Sequence, residues 1–475
     1  MKKTKIVATM GPASTNSKEV LKEMILQGTN VCRLNFSHGK HEIHLRTINM
    51  VREINAELGY DVALLADLQG PKIRIGEVEN NAVELIDGTP LIITTKECIG
   101  TKDRVYLTYK EFPKDVSIGD RILMDDGKLQ LEVTGTNRLD EVTTIVLHGG
   151  ILSSKKGVNL PNTKISLPCL TVKDLRDLDF ALEHNIDWIG LSFVRSAKDI
   201  HDLRKLISKK NKHTKIIAKI EKPEAVADID AIILATDAIM VARGDLGVEV
   251  PMETVPNIQK MLIRKCSRHG KPSIVATQMM ESMITNFSPT RAEVNDVANA
   301  VLDGADAVML SGETSVGKYP IEVIKVMSKI VLEIEKNDDI YHKEAMPEKT
   351  DDRYDRFITD SICFNATRLS QRVDASAIIT MTFSGYTAYK MSSQRPKSDI
   401  YVFTENRQIL TQLNLVWGVK GFFYDQLVST DQTITDSIEF LKKKELLKTG
   451  DYVINVASVP IGEKGKSNMV KLSEV

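Results

Sequence analysis

Short apolar runs alternate with amphipathic helical stretches along most of this chain, and the alternation is interrupted once. Three apolar runs precede residue 70 and five more follow residue 167, with helical stretches between them. Strand–helix alternation of this kind is typical of a parallel sheet. Eight such units predict a closed (β/α)8 barrel, with barrel segments at residues 1–70 and 167–340.

The interruption itself has a different pattern. Residues 71–166 contain short β-type runs and turn signals, including Asp126-Gly127 between apolar alternations. This pattern predicts an inserted all-β domain, and an insert after the third strand would hang over the barrel mouth as a lid. Residues 351–475 return to strand–helix alternation and predict a separate C-terminal α/β domain.

Composition excludes several classes of function. The 475 residues carry a formal net charge of −1, so nucleic acid and anionic membranes are not expected as partners. We find no apolar run long enough to cross a bilayer and no signal-peptide pattern at the N-terminus. The five cysteines are far apart and form no CxxC pair, which favours a reducing, cytoplasmic location without disulfides or structural zinc.

Charge at the ends of two buried strands is the strongest chemical signal. Lys219 and Glu221 end the run KIIAKIE, and Asp245 follows the run AIMVA. The two carboxylates could share one Mg²⁺ or Mn²⁺ ion, and an ammonium beside that ion would stabilise a phosphoryl group in transfer. The competing interpretation is a structural salt bridge at the barrel rim.

A second group of polar residues follows the second predicted strand, in RLNFSHG. Arg33 offers a planar fork suited to phosphate or carboxylate. Asn35 and Ser37 carry oxygens that could hold a monovalent cation, and His38 could touch a nucleotide. His38 could equally be an ordinary loop residue.

The two segments that join barrel and insert are basic. ADLQGPKIRIG brings Asp67, Lys72 and Arg74 to the first hinge, and SKKGVNLP brings Lys156 to the second. These cations would suit polyphosphate in the cleft, although solvated hinge charges would look the same. Thr277 ends the seventh predicted strand, within reach of a substrate.

The C-terminal domain contains one candidate anion site. TMTFSGYTAYK places Thr382, Ser384, Gly385 and Thr387 between a strand and a helix. Free N–H groups at a helix start bind phosphate well, but an ordinary capped turn has the same composition. The chain has no Walker A motif and no GxGxxG fingerprint, so a nucleotide would not be held by a P-loop.

Taken together, these segments resemble one family. The chain is similar to pyruvate kinases in TKIVATMGPAS, RLNFSHG, DLQGPKIRIG, SKKGVNLP, AKIEKPEAV, MVARGDLGVEV, ATQMMESM and PTRAEVNDVANAVLDGADAVMLSGET, in that order, and in the C-terminal domain. The resemblance spans essentially the whole chain. It implies a glycolytic phosphotransferase that moves the phosphoryl group of phosphoenolpyruvate to ADP, giving pyruvate and ATP.

The resemblance also implies roles for individual residues. Arg33 would hold the phosphoryl group, and Lys219 would neutralise it. Glu221 and Asp245 would ligate the divalent ion, while the Gly244 backbone and Thr277 would contact substrate. The nucleotide side would comprise Asn35, His38, Arg74 and Lys156, and a potassium site would comprise Asn35, Ser37, Asp67 and the Leu68 carbonyl.

Two departures from the family pattern change these expectations. The hinge reads GPKIR where potassium-dependent members resemble GPEIR, so we hypothesise that Lys72 replaces K⁺ partly or wholly. Phe383 stands where animal members regulated by fructose 1,6-bisphosphate carry lysine. A monophosphate, either a sugar phosphate or AMP, is therefore the expected allosteric activator. The resemblance also suggests a homotetramer.

Two rival functions remain at this point. A lyase acting on pyruvate or oxaloacetate also uses a barrel with Mg²⁺ on Glu and Asp, but it would not need Arg74, Lys156 or the inserted domain. A non-catalytic metabolite sensor would be expected to have lost Lys219 or a metal carboxylate, and all three are present.

Overall fold

A computed structural model of the chain describes residues 2–161, 163–210, 212–342, 346–347, 354–426, 429–460 and 467–475. Its strands are β1 (Lys5–Thr9), β2 (Val31–Asn35), β3 (Ala63–Asp67), β4 (Val83–Leu85), β5 (Pro90–Thr94), β6 (Arg104–Tyr106), β7 (Arg121–Met124), β8 (Leu129–Thr136), β9 (Glu141–His148), β10 (Gly150–Leu152), β11 (Val158–Asn159), β12 (Trp188–Leu191), β13 (Lys215–Ile220), β14 (Ala238–Ala242), β15 (Ser273–Ala276), β16 (Ala307–Leu310), β17 (Ala377–Met381), β18 (Asp399–Thr404), β19 (Val419–Phe423), β20 (Tyr452–Ala457) and β21 (Met469–Glu474).

The α-helices are α1 (Lys18–Leu26), α2 (His41–Leu58), α3 (Phe112–Asp115), α4 (Val172–Glu183), α5 (Ala197–Lys209), α6 (Pro223–Ala227), α7 (Ile229–Ala235), α8 (Arg243–Glu249), α9 (Val255–His269), α10 (Arg291–Leu302), α11 (Gly312–Ser315), α12 (Pro320–Ile334), α13 (Tyr354–Arg372), α14 (Tyr386–Ser393), α15 (Arg407–Gln412) and α16 (Thr430–Lys443). Some helix starts have side-chain caps. The side chain of Ser17, for example, caps α1, and Thr171 and Asp174 form a capping box at α4.

Eight parallel strands close into a barrel, which confirms the predicted fold. Their order around the barrel is β1, β2, β3, β12, β13, β14, β15 and β16, and β16 pairs with β1. Asn35 is the register partner of Asp67 on the neighbouring strand, so the ends of β2 and β3 lie side by side. Since all eight strands run the same way, the residues at their carboxyl ends converge on one mouth.

The barrel interior is filled with apolar side chains. Val7, Trp188, Met240 and Ile274 belong to one buried cluster inside the barrel. Leu415, which comes from the C-terminal domain, is also a fully buried member of that cluster. A side chain of the C-terminal domain therefore packs into the core of the barrel.

The insert folds as its own all-β unit. A six-stranded sheet has the order β11, β7, β8, β9, β5, β6, and β10 pairs with β4 in a separate two-stranded sheet. The insert has a hydrophobic core of its own, with Leu91, Val105, Phe112 and Leu131 among its buried members. Helix α3 is a short addition that the sequence pattern did not predict, because four residues are too few for helical periodicity to show.

Two segments, 71–75 and 155–159, join the insert to the barrel, and we call them the outgoing strap and the return strap. They are hydrogen-bonded to each other: Ile75 N–H donates to Lys156 O at 3.0 Å, and Val158 N–H donates to Ile73 O at 3.0 Å. Gly70 precedes the outgoing strap with φ 69°, and a Cβ there would lie 2.7 Å from the Phe193 ring. Only glycine fits this hinge without strain.

The C-terminal domain is a five-stranded sheet with the order β19, β18, β17, β20, β21. Its four parallel strands match the four predicted runs, and β21 adds an antiparallel edge that the pattern missed. The expected start at residue 351 lies outside the described residues. Buried Arg395 seats the domain on the barrel through Asp306 Oδ2, 3.0 Å from its Nη2. Among the helices that the structure describes, none combines the length and apolarity needed to span a bilayer.

Candidate active site

The Lys219 ammonium lies at the centre of a buried charge cluster at the barrel mouth. Its Nζ is 3.1 Å from Asp67 Oδ1 and 2.9 Å from Glu221 Oε1. It also donates to Ser192 Oγ at 2.7 Å. The Lys219 side chain is 11% exposed and the two carboxylate side chains 1%. One cation therefore bridges two carboxylates that come from different strands.

The charges in this cluster shift one another's pKa values. Burial alone would lower the pKa of Lys219, but the Asp67 and Glu221 carboxylates outweigh burial and hold that pKa above its usual value. Burial would raise the pKa of Asp67, yet Lys219 and Arg33 keep it lowered. The pKa of Glu221 is raised, first by burial and then by the negative charge of Asp245.

Arg33, on β2, extends the same cluster. Its Nε lies 2.6 Å from Asp67 Oδ2, and its Nη1 donates to Thr9 Oγ1 at 2.8 Å. These two bonds fix the plane of the guanidinium, which is buried. A fixed, planar cation beside Lys219 is suited to hold a phosphoryl or carboxylate group.

Asp245 and Lys72 occupy the side of the mouth nearer the insert. Asp245 is in the first turn of α8, and its carboxylate is 31% exposed. Lys72 Nζ, from the outgoing strap, lies 3.5 Å from Asp245 Oδ1. The Lys72 ammonium, predicted to replace K⁺, thus lies beside a predicted metal carboxylate.

Thr277 and Gly244 meet at the ends of β15 and β14. Gly244 N–H donates to Thr277 Oγ1 at 2.8 Å, and the threonine hydroxyl donates to Ala276 O at 2.6 Å. Thr277 and Gln278 both have positive φ, 68° and 53°. A β-branched residue in the left-handed region is an outlier. The strained turn therefore holds the Thr277 oxygen beside the Gly244 backbone.

The predicted potassium set is partly brought together. Asn35 Oδ1 accepts from Ser37 N–H at 3.1 Å, and Asn35 neighbours Asp67 in the barrel register. The Leu68 carbonyl accepts the Ser192 hydroxyl at 2.6 Å. Asn35 and Asp67 thus end β2 and β3, and Ser37 and Leu68 lie on the loops that follow, although several of their oxygens already have protein donors.

The predicted nucleotide residues divide into two places. Arg74 and Lys156 lie on the paired straps, where Arg74 Nη1 donates to Lys155 O at 2.9 Å and Lys156 Nζ is 2.8 Å from Asp125 Oδ1. The Lys156 contact is the main reason that the pKa of Asp125 is lowered. His38 is exposed on the barrel loop after β2, so it belongs to the barrel and not to the straps.

The C-terminal candidate site is only partly exposed to solvent. Gly385, with φ 80°, precedes α14, and its N–H donates to Thr382 Oγ1 at 3.1 Å. Ser384 is exposed beside it. Thr387 is buried, with its hydroxyl 3.2 Å from that of Thr380. The structure therefore brings Thr382, Ser384 and Gly385 together in one turn, in which only Ser384 is exposed, Thr382 is half-buried, and Gly385 is buried like Thr387.

Several residues of the site were missed by the sequence reasoning. Thr9 ends β1, and Ser192 and Arg243 directly follow β12 and β14, so the same search for polar residues at strand ends would have found them. Arg243 donates to Thr277 O at 2.7 Å and holds the strained turn. Phe193 contributes only its backbone N–H, which donates to Glu221 Oε2 at 2.8 Å, and no sequence signal marks that role.

Comparison with known proteins places this geometry in context. Family models described as the barrel domain and the alpha/beta domain of pyruvate kinase match residues 1–324 and 360–473. A pyruvate kinase of Geobacillus stearothermophilus is 45% identical over 473 residues, covering 99% of this chain and 80% of that protein. A pyruvate kinase of Mycobacterium intracellulare is 43% identical over 471 residues, covering 99% of this chain and 98% of that protein.

The fold agrees with a solved structure as well. A crystal structure of a pyruvate kinase from Cryptosporidium parvum superposes with a TM-score of 0.92 at 37% identity, covering 100% of this chain and 96% of that one. The agreement extends over barrel, insert and C-terminal domain together, because the whole chain is covered.

Proposed function

The chain belongs to the pyruvate kinase family and is a phosphotransferase, and from this premise we propose which of its residues carry phosphoryl transfer from phosphoenolpyruvate to ADP. The observation that carries the proposal is the Lys219 ammonium held between Asp67 and Glu221, with Asp245 close enough to raise the pKa of Glu221. The products are pyruvate and ATP.

We propose that Glu221 and Asp245 hold one divalent ion, Mg²⁺ or Mn²⁺. Two carboxylates that repel each other at the mouth of a barrel suit a doubly charged ion, which would relieve the repulsion. Both are oxygen donors, as Mg²⁺ prefers, and the partly exposed Asp245 leaves room for substrate oxygens. When bound, the ion supplies Lewis-acid stabilisation of negative charge on substrate oxygens.

The chain's own residues would then position and neutralise the reacting groups. In the transfer, the bond between phosphorus and the enol oxygen breaks and a bond to the terminal ADP oxygen forms. Arg33, fixed by Asp67 and Thr9, would orient the phosphoryl oxygens, and Lys219 would offset the charge that develops on them. Positioning and charge supply most of the catalysis in phosphoryl transfer.

The enolate that remains must be protonated at carbon. Thr277 Oγ1, fixed by Gly244 N–H, is the hydroxyl that we propose to lie near this carbon and to pass on a proton. Arg243 holds the turn that presents it. We propose that Asn35, His38, Arg74 and Lys156 bind the nucleotide when the lid domain covers the mouth.

We propose that Lys72 reduces or removes the need for K⁺ at the set formed by Asn35, Ser37, Asp67 and the Leu68 carbonyl. The Lys72 ammonium, 3.5 Å from Asp245 Oδ1 at the mouth, would supply positive charge that a bound potassium ion would otherwise bring. Rates measured with KCl and with tetramethylammonium chloride test this, and strict dependence on K⁺ would refute it.

Regulation, assembly and location complete the proposal. We propose that Thr382, Ser384 and Gly385, with Thr387 beneath, bind one phosphate of a sugar monophosphate or AMP, which activates the enzyme. Calorimetric titration with these ligands tests the site.

We further propose a homotetramer, to be checked by sedimentation. All five cysteines are free, which supports a reducing, cytoplasmic location.

The decisive experiment is a coupled assay of pyruvate formation from phosphoenolpyruvate and ADP, with Mg²⁺ or Mn²⁺ titrated in. Glu221→Gln should abolish activity at every metal concentration, because it removes a charged ligand. Retention of wild-type activity by that variant would overturn the assigned site. Lyase activity is disfavoured by the presence of both nucleotide cations, and a sensor role by the intact Lys219, Glu221 and Asp245 cluster.

A further inference from the structure

Two barrel residues beside the insert form a buried ion pair that the proposed reaction does not use. Lys222 Nζ lies 2.6 Å from Glu249 Oε1, with side-chain exposures of 8% and 1%. Replacing a buried ion pair by apolar side chains is often neutral or stabilising, so such a pair is weak support for stability alone. Its position suggests another purpose.

The same Glu249 oxygen also receives a bond from the insert. Asn159, at the end of the return strap, donates from Nδ2 to Glu249 Oε1 at 2.7 Å. One carboxylate oxygen therefore accepts from a lid residue and from a barrel residue at once. The adjoining cavity, lined in part by Asn159, Lys222 and Phe193, measures about 30 Å³ and is too small for a substrate.

Both barrel residues of this ion pair are close in sequence to a proposed metal carboxylate. Lys222 is the residue after Glu221. Glu249 is the last residue of α8, and Asp245 stands in the first turn of the same seven-residue helix. At the other end of α8, Asp245 faces Lys72 of the outgoing strap at 3.5 Å. The two straps thus contact α8 at its two ends.

From this arrangement we propose that Asn159, Glu249 and Lys222 form a latch, a set of positioning residues that registers the lid domain to the two metal carboxylates. The latch rests on the proposed metal role of Glu221 and Asp245. When the return strap is seated, the Asn159 bond holds Glu249 and with it α8, so the Asp245 carboxylate keeps its place opposite Glu221. Release of the strap loosens both carboxylates together.

The test compares three variants of the full-length protein. Asn159→Ala removes the lid bond and leaves the Lys222–Glu249 pair, and Asn159→Asp sets a like charge against Glu249 at nearly constant volume. Asn137→Ala is the matched control, because Asn137 Oδ1 accepts only bonds from within its own hairpin of the lid, such as those from the N–H groups of Leu139 and Asp140 at 2.9 and 3.0 Å.

Mn²⁺ binding without substrate is measured from the loss of the free-ion electron paramagnetic resonance signal, and amide exchange is followed at residues 155–159. We expect Asn159→Ala to weaken Mn²⁺ binding about tenfold, as for loss of a hydrogen bond to a charged group. Asn159→Asp should weaken it further. Both variants should exchange faster in the return strap, and Asn137→Ala should change neither quantity.

Equal effects of Asn159→Ala and Asn137→Ala would overturn the latch, since general loosening of the lid would then explain them. Unchanged Mn²⁺ affinity in both Asn159 variants would overturn it too. Failure of the proposed metal site looks different: Glu221→Gln would then bind Mn²⁺ like the wild type. In a double-mutant cycle, Asn159→Ala should have little effect once Glu249→Gln is present, and additive effects would count against the latch.

Discussion

Lys219→Met removes the one ammonium that two buried carboxylates share, and its consequences can be worked from the distances. At about 3 Å and an effective dielectric of about 20, each contact with Asp67 or Glu221 is worth about 5 kcal/mol of Coulomb energy. Desolvation of the three groups offsets most of this. Asp67 keeps Arg33 and Glu221 keeps the Phe193 N–H, so we expect a net loss of about 3–5 kcal/mol in unfolding free energy.

The same substitution should lower kcat by about 10²–10³, because charge that develops in the transition state loses its fixed partner. The assays are pyruvate formation under saturating substrates and thermal unfolding, for which this loss corresponds to roughly 6–15 °C in the barrel transition. Lys215→Met is the control on the same strand, since Lys215 pairs with Asp237 at 3.4 Å at the opposite end of β13.

A kcat within tenfold of the wild type would refute the catalytic reasoning. An unchanged unfolding temperature would refute the electrostatic reasoning, because two carboxylates at 1% exposure could then tolerate the loss of their shared cation. The destabilisation should also be smaller at pH 5 than at pH 8. Lys219 lowers the pKa of Glu221, which burial already holds above its usual value, so without Lys219 that pKa rises further and stability is lost as pH increases through it.

Three further predictions concern the surroundings of the site. Ser192→Ala removes one of three contacts of Lys219 and should lower kcat about 2- to 10-fold with little change in unfolding temperature; a wild-type rate would show that the contact is incidental. Asp187 is buried, and burial raises its pKa to about 6, so its contribution to stability is present below pH 4 and lost as pH rises through 6. Asp187→Asn should remove up to about 3 kcal/mol of this pH dependence in urea unfolding, and parallel curves for variant and wild type would argue against it. Gly70→Ala should lower the free energy of unfolding by about 1–2 kcal/mol, because alanine is strained at φ 69°. The new Cβ would lie 2.7 Å from the Phe193 ring and displace it, which should also lower kcat. Unchanged stability would mean that the hinge adapts freely.

The fold was largely predictable because its signals are local. Alternation of apolar runs with helical stretches gave eight strands, and a closed barrel follows once eight parallel units are counted. The two elements that the pattern missed have physical explanations. Helix α3 is too short to show a period, and β21 reads MVKLSE, an edge strand with polar residues at three of its six positions.

The candidate site was predictable in its members more than in its contacts. Charged residues after buried strands identified Lys219, Glu221 and Asp245, because parallel strands deliver their carboxyl ends to one mouth. The same rule applied more thoroughly would have added Thr9, Ser192 and Arg243. It could not have found the Phe193 N–H, since backbone groups carry no residue signature.

The sequence by itself determined that this chain forms a barrel with an inserted lid and places an ammonium and two carboxylates at strand ends, because periodicity and strand direction are properties of local order along the chain. Only the tertiary structure decided which charges pair. Lys219 joins Asp67 to Glu221, Lys72 faces Asp245, and Glu249 accepts from both Lys222 and Asn159. Such pairings join residues that are up to 173 positions apart, as with Lys72 and Asp245, 245 − 72 = 173. They depend on distances between loops of different strands, which a linear pattern does not contain.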